Sequence, residues 1–199
     1  MSKQIEFYFD IGSPAAYLAS TQLPLIARQT GAQILYRPML LGGVFAATKN
    51  ASPVSIPAKG AYMLRDLNRF ASKYGVPLNF SPHFPINTLM LMRLLSGVQS
   101  QKPERFLPLL TQILDAMWVQ ALNLADQEVL ANILDQGEME ATEAMSLVQD
   151  ESVKARLKEQ TSEAVARGVF GAPTFFVGSE MFWGQDRLDF VRAAVETSS

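Results

Sequence analysis

Near the start of the chain, apolar and polar side chains alternate. Ile5, Phe7 and Phe9 fall on one side of an extended segment, and Glu6, Tyr8 and Asp10 on the other. A period of two is the spacing of a β-strand. The strand runs into Asp10-Ile11-Gly12-Ser13-Pro14. There a serine supplies a helix N-cap, and the proline takes the first helical position, where no amide hydrogen is needed. The following helix carries Tyr17, Leu18 and Thr21 on one face and then meets Pro24. That ring must kink the helix or start a second one. Gly31 closes the segment, and residues 34–38 read as a second strand. Strand, helix and strand at this length make a parallel βαβ unit with a right-handed crossover.

Beyond this unit the spacing changes to that of helices. Ser55 and Pro57 open a helix with Met63, Leu67, Phe70, Ala71 and Tyr74 on one face, stopped at Gly75. Asn87 opens another through Leu91, Leu94, Leu95 and Val98, and Pro103 a third through Phe106, Leu109, Leu110, Ile113 and Met117. Asp126 caps a fourth with Val129, Leu130, Ile133 and Leu134; two more follow and end at Gly168. At the C-terminal end, residues 173–177 and 180–183 read as strands separated only by Gly178-Ser179, a tight-hairpin signal. A last helix starts at about Asp186, with Leu188, Phe190, Val191 and Val195 available for its apolar face. The order predicts an α/β, thioredoxin-like fold. Residues 1–45 (βαβ) and 166–199 (ββα) build a four-stranded mixed sheet, and residues 46–165 form a large all-helical insertion domain.

Composition narrows the chemistry. The chain of 199 residues is 48% hydrophobic and 18% charged, enough for a substantial core, and its net charge of −2 offers no phosphate-tracking surface for nucleic acid. The opening MSKQIEFYFD lacks the basic-then-apolar order of a signal peptide, and the final TSS matches no peroxisomal address. No stretch approaches the roughly 20 apolar residues that span a bilayer. A cytoplasmic protein without membrane attachment is expected. There is no cysteine, which excludes a cysteine nucleophile, a CxxC redox pair and thiolate metal ligation. With His83 as the only histidine, a His-based metal site or a Ser-His-Asp triad is not expected either.

Five segments then carry a resemblance: FYFDIGSPAAYLA at 7–19, NASPVSIPAKGAYM at 50–63, HFPINTLMLMR at 83–93, GVFGAPTFFV at 168–177 and WGQDRL at 183–188. In this order and at these separations they resemble the 2-hydroxychromene-2-carboxylate isomerase family. That family is related to kappa-class glutathione transferases within the DsbA-like branch of the thioredoxin superfamily. The resemblance implies glutathione as a thiol cofactor, a homodimer, and a small aromatic or electrophilic substrate.

The residues that carry the implied site each have a plainer reading beside the functional one. Ser13 stands where thioredoxin relatives place a reactive cysteine, at a helix start whose open N–H groups favour an anion; it would equally serve as a simple N-cap. A free thiol titrates near pH 8.5, so about 3% is ionised at pH 7, and lowering that pKa by about two units takes about 2.7 kcal/mol. A serine hydroxyl and a helix end supply energy of that order. Ala172 and Pro173 open a strand; the resemblance implies a cis bond there, leaving the Ala172 backbone free to pair with a peptide such as glutathione. Gln185 and Asp186 would hold the γ-glutamyl end, or merely cap the last helix. Asn50 and Lys59 would hold the glycyl end, and a lysine in the first helical turn is electrostatically unfavourable without an anionic partner. His83 reads as structural. Phe84 and Trp183 either line an apolar pocket or join the core, and Met90, Met92 and Met117 read as packing. Gly12, Ala15 and Ala16 stand where relatives often carry larger aromatic residues. The reading favoured is a glutathione-dependent isomerase of unsaturated aromatic keto acids. The alternatives are a kappa-like transferase conjugating electrophiles and a non-catalytic peptide-binding or chaperone module.

Overall fold

Strand β1 (Gln4–Phe9) pairs in parallel with β2 (Gln33–Pro38) and antiparallel with β3 (Thr174–Val177), which forms a hairpin with β4 (Glu180–Trp183). The four-stranded order is β2-β1-β3-β4. It is seen in a computed structural model that describes residues 3–137 and 139–198. The outer bounds at 1 and 199 expected for the thioredoxin-like segments, like the last residue of the TSS end, lie outside the described residues. This mixed sheet is the thioredoxin-like α/β arrangement expected from the order of the elements.

Both faces of the sheet are covered, so the polar side of the β1 alternation is buried too: Tyr8 and Asp10 are 0% and 1% exposed. On one face Phe7 stacks on Phe9 and Phe175, with ring centroids 5.1 and 5.4 Å apart. On the other, Tyr8 and Phe176 pack with Val44, Ala164 and Val169.

Helix α1 (Pro14–Thr30) begins at Ser13 and ends where Gly31 takes a left-handed φ of 71°. It runs unbroken through Pro24, and no second helix starts there. The hydroxyls of Ser20 and Thr21 donate back to the Tyr17 and Leu18 carbonyls in the turn before the proline, a local bond that helps a helix adapt to such a ring. After β2 comes α2 (Leu41–Thr48), a helix with no signal in the sequence pattern. Leu40 at its start offers no capping side chain, and Gly42-Gly43 lowers its propensity.

The span up to β3 holds α3 (Pro57–Tyr74), α4 (Leu89–Gln101), α5 (Pro103–Trp118), α6 (Gln127–Gln136), α7 (Ala141–Gln149) and α8 (Glu151–Ala166). Gly75 and Asp126 act as the stop and cap expected of them. The last helix, α9 (Leu188–Thr197), follows a 3-10 turn at Gln185–Arg187. Its buried face is Leu188, Val191 and Val195, whereas Phe190 is 59% exposed. Among the described residues no helix is long and apolar enough to cross a membrane.

One apolar core runs through sheet and helices alike, from Phe7 and Leu18 to Leu95, Ile113 and Leu147. Trp118 joins the parts. It is fully buried, its ring meets Phe80 and Phe84 edge-on at 5.7 and 5.3 Å, and its Nε1–H donates to the Ile11 carbonyl at 2.8 Å. Phe84, half-buried, thereby packs against the core. Trp118→Ala should cost about 3–5 kcal/mol in stability, measured by urea unfolding; a loss below about 1 kcal/mol would show that the helices do not hold the loop after β1.

Candidate active site

The loop joining β1 to α1 has its polar groups bound from several elements. Ile11 N–H points at the sulfur of Met92 at 3.5 Å, the Ile11 carbonyl accepts from Trp118, and Ser13 N–H donates to the Asp10 carbonyl at 3.0 Å. Met92 is therefore both packing and a weak acceptor. The Asp10 carboxylate, buried beneath the loop, accepts Gly12 N–H at 2.9 Å, Leu41 N–H at 2.8 Å and the Thr88 hydroxyl at 3.1 Å. Its bond to Leu41 supplies from a distance the cap that α2 lacks in its own sequence. Burial pushes the Asp10 carboxyl up, and its donors pull it back. Gly12 must be glycine beside Thr88, because a Cβ there would lie 2.8 Å from the Thr88 Cγ2. That contact accounts for the small residue just before Ser13.

Ser13 is 5% exposed. Its Oγ accepts Ala16 N–H at 3.2 Å, the bond of an N-cap, and donates to the Ala172 carbonyl at 2.9 Å. No acidic residue occupies the first turn of α1, so the positive end of the helix dipole is not neutralised by its own side chains. Among the described residues no group accepts the Ala15 N–H.

The Ala172–Pro173 peptide is cis. Ala172 is half-buried, and among the described residues its N–H has no acceptor. The Pro173 carbonyl accepts Gly184 N–H at 3.0 Å, tying this loop to the end of the hairpin. Asn50 reaches the same loop, donating from Nδ2 to the Phe170 carbonyl at 3.0 Å. Trp183 is 48% exposed and lies against Phe170, with centroids 5.0 Å apart, so it borders the loop rather than the core.

Gly184, at φ 104°, takes a backbone conformation that favours glycine and leads into Gln185 and Asp186, whose carboxylate folds back over it. Asp186 is exposed and pairs with Arg187 at 3.0 Å. Gln185 is buried, and its carbonyl accepts the Tyr74 hydroxyl at 2.8 Å. The Tyr74 phenol is pushed up to about 12 by burial and by the Asp189 and Asp186 carboxylates. Lys59 is exposed in the first turn of α3 and, among the described residues, makes no hydrogen bond or ion pair. His83 is also exposed, with its N–H on the Ser81 hydroxyl.

Of the residues expected at a site, Ser13 and Ala172 thus touch directly. Asn50 joins them through Phe170, and Gln185 and Asp186 through Gly184 and Pro173. Lys59 is not tied to the others by any contact. Asp10, Thr88, Trp118 and Tyr74 support the site without having been expected to. Only the abrupt appearance of a carboxylate at the end of an apolar strand hinted at the first of these.

A DsbA-like thioredoxin domain model matches residues 4–196. The chain is 35% identical over 195 residues to 2-hydroxychromene-2-carboxylate isomerase from Sphingobium xenophagum, covering 97% of this chain and 98% of that protein. The chain belongs to the DsbA-like thioredoxin family, on its 2-hydroxychromene-2-carboxylate isomerase branch. The solved structure of a 2-hydroxychromene-2-carboxylate isomerase superposes with a TM-score of 0.82 at 30% identity, covering 96% of this chain and 93% of that one. Glutathione S-transferase kappa 1 of Rattus norvegicus is 25% identical over 199 residues, covering 94% of this chain and 88% of that protein. The relationship to both kinds of protein is thus the one that the five segments implied.

Two outcomes follow for this DsbA-like site. Gly12→Ala should destabilise the protein by about 1–3 kcal/mol through overpacking, and adding Thr88→Ser, which removes the opposing methyl and keeps the hydroxyl on Asp10, should restore most of it. Failure of the second change to help in thermal melts would show that the strain lies elsewhere. For Tyr74, a phenol raised in the folded state favours folding below pH 10, and that contribution disappears as pH rises to about 12. Stability measured across this window should therefore fall less steeply in Tyr74→Phe than in the parent protein; equal slopes would remove Tyr74 from the account.

Proposed function

We propose that this chain is a glutathione-dependent isomerase acting on 2-hydroxychromene-2-carboxylate-type unsaturated aromatic keto acids. The observation that carries the reading is the Ser13 hydroxyl, held at the start of α1 within 2.9 Å of the Ala172 carbonyl. Its likeness to the named isomerases supports the reaction, and its likeness to the kappa transferases supports glutathione.

The residues fit that cofactor. Ala172, half-buried with a free N–H, offers a strand edge to the peptide. Asp186 would take the γ-glutamyl ammonium in place of Arg187, beside Gln185. Asn50 and Lys59 would face the glycyl carboxylate. When bound, glutathione would supply a thiolate nucleophile whose reversible addition to a conjugated carbon turns a double bond into a single bond free to rotate.

What the protein does is bind, orient and hold a charge. The Ser13 proton lies on the Ala172 carbonyl in the free chain. A ligand N–H that takes this carbonyl releases the hydroxyl to turn toward the sulfur, so binding and activation are one exchange of hydrogen bonds. The open Ala15 N–H and the α1 dipole favour the same anion. A homodimer in the cytoplasm goes with this reading.

Titration with glutathione should give Ser13→Ala an affinity within a few-fold of the parent. The ionised fraction of the bound thiol at pH 7, followed by thiolate absorbance, should fall several-fold from about three-quarters, with only the helix end left to hold the anion. The parent should interconvert 2-hydroxychromene-2-carboxylate and trans-o-hydroxybenzylidenepyruvate only when glutathione is present. An unchanged thiolate signal would remove Ser13 from the mechanism, and no interconversion would sink the isomerase. The relatives of kappa type favour one second reading, conjugation of electrophiles, for which turnover of a halonitrobenzene in place of the chromene acid is the sign. Peptide binding without glutathione binding would instead point to a non-catalytic module.

A further inference from the structure

Between α2, the start of α4 and the length of α8 lies an open cleft of about 730 Å3. That volume suits a small organic molecule. Its walls are mainly apolar, including Leu40 and Leu89. Gly43 lets α2 approach α8 closely, since a Cβ there would stand 3.2 Å from the Thr161 Cγ2. The Thr161 hydroxyl is fully engaged, accepting Leu40 N–H at 2.9 Å and donating to the Leu157 carbonyl at 2.7 Å. The Thr161 hydroxyl therefore has no proton left to offer a ligand in the cleft.

The charges along the cleft do not balance. Arg93, Lys154 and Lys158 line it against a single carboxylate, Glu151. Glu151 is taken by Lys154 at 2.8 Å. Arg93 is half-buried and, among the described residues, has neither an ion pair nor a hydrogen bond; Lys158 has none either. A guanidinium set in an apolar wall without an acceptor is costly, and its planar fork matches a carboxylate. We infer that this cleft binds an amphipathic organic anion, an aromatic or enoic carboxylate, with Arg93 on the carboxylate and the apolar walls on the ring.

The cleft adjoins the catalytic loop from behind. Leu40 and Leu89 are next in sequence to Leu41 and Thr88, both of which are held by Asp10. On the glutathione-dependent reading, an acid held here would lie beside the loop that leads into Ser13. A substrate role rests on that reading; the binding of an anion does not.

The test uses calorimetry on the full chain with trans-cinnamate, its neutral amide and, separately, glutathione. Cinnamate should bind the parent at least about tenfold more tightly than cinnamamide does, and Arg93→Gln should abolish that advantage. Ala155→Trp, at an exposed position lining the cleft, should block cinnamate while the glutathione titration stays unchanged in both variants. Should Arg93→Gln fail to fold in thermal melts, the amide comparison and Ala155→Trp decide. Equal binding of acid and amide, cinnamate binding unaffected by either variant, or no cinnamate binding by the parent would each overturn the site. So would an Ala155→Trp variant that changes only the oligomeric state, because the cleft would then belong to a second copy of the chain. Cinnamate held by Arg93 in a protein that ignores glutathione would leave the cleft standing and remove the isomerase.

Discussion

A carboxylate withdrawn from water is tolerated only if its oxygens are satisfied, and Asp10 turns that requirement into architecture. Its three donors come from the loop before α1, from the first residue of α2 and from the residue before α4. Each of these elements would be placed differently without it. α2 would lack a cap, Gly12 would lose the bond that turns the chain into Ser13, and Thr88 would leave a buried hydroxyl unmatched. The position of Ser13 is thus fixed less by Ser13 than by the charge buried three residues earlier.

The helical segment between β2 and β3 contributes directly to the site. It supplies the Trp118 donor to Ile11, the Met92 sulfur, the Thr88 hydroxyl and the Tyr74 hydroxyl on the Gln185 carbonyl. The loop after β1, the loop before β3 and the turn after β4 therefore meet under the grip of helices that in sequence lie between them. An insertion that shares its core with the sheet transmits its own stability to the geometry around Ser13.

The opposite face of the sheet performs a similar service for the cis-proline loop. Glu6 lies between Arg167 and Arg37, each 3.0 Å away, and Arg167 also covers the Phe176 ring with its guanidinium carbon 3.8 Å from the centroid. Burial alone would raise the Glu6 carboxyl, but the hydrogen bonds and charges of Arg167 and Arg37 hold it below the usual carboxylate range. Arg167 follows the last residue of α8 and opens the stretch that leads to Ala172. Its anchorage to β1 and β3 sets where that stretch departs, and hence where the Ala172 carbonyl meets Ser13.

Much of this was legible along the chain because it is local. The period-two run of β1, the Ser13 and Asp126 caps, the Gly31 and Gly75 stops and the Gly178-Ser179 hairpin all depend on neighbours within a few residues, so sequence alone determined the elements and their order. The five segments likewise carried the expectation of Ser13, Asn50, Lys59, Ala172, Pro173, Gln185 and Asp186, of which Lys59 is left without a contact to the others. Helix α2 escaped detection because its cap, Asp10, is 31 residues away, and Thr88 is 78 residues from the same carboxylate. The unbroken course through Pro24, the outward turn of Phe190 and the unpaired Arg93 in its cleft were also decided only by the tertiary structure. Periodicity states which side chains prefer burial. Which polar group meets a buried charge depends on how distant segments pack, and here that packing determines the candidate site.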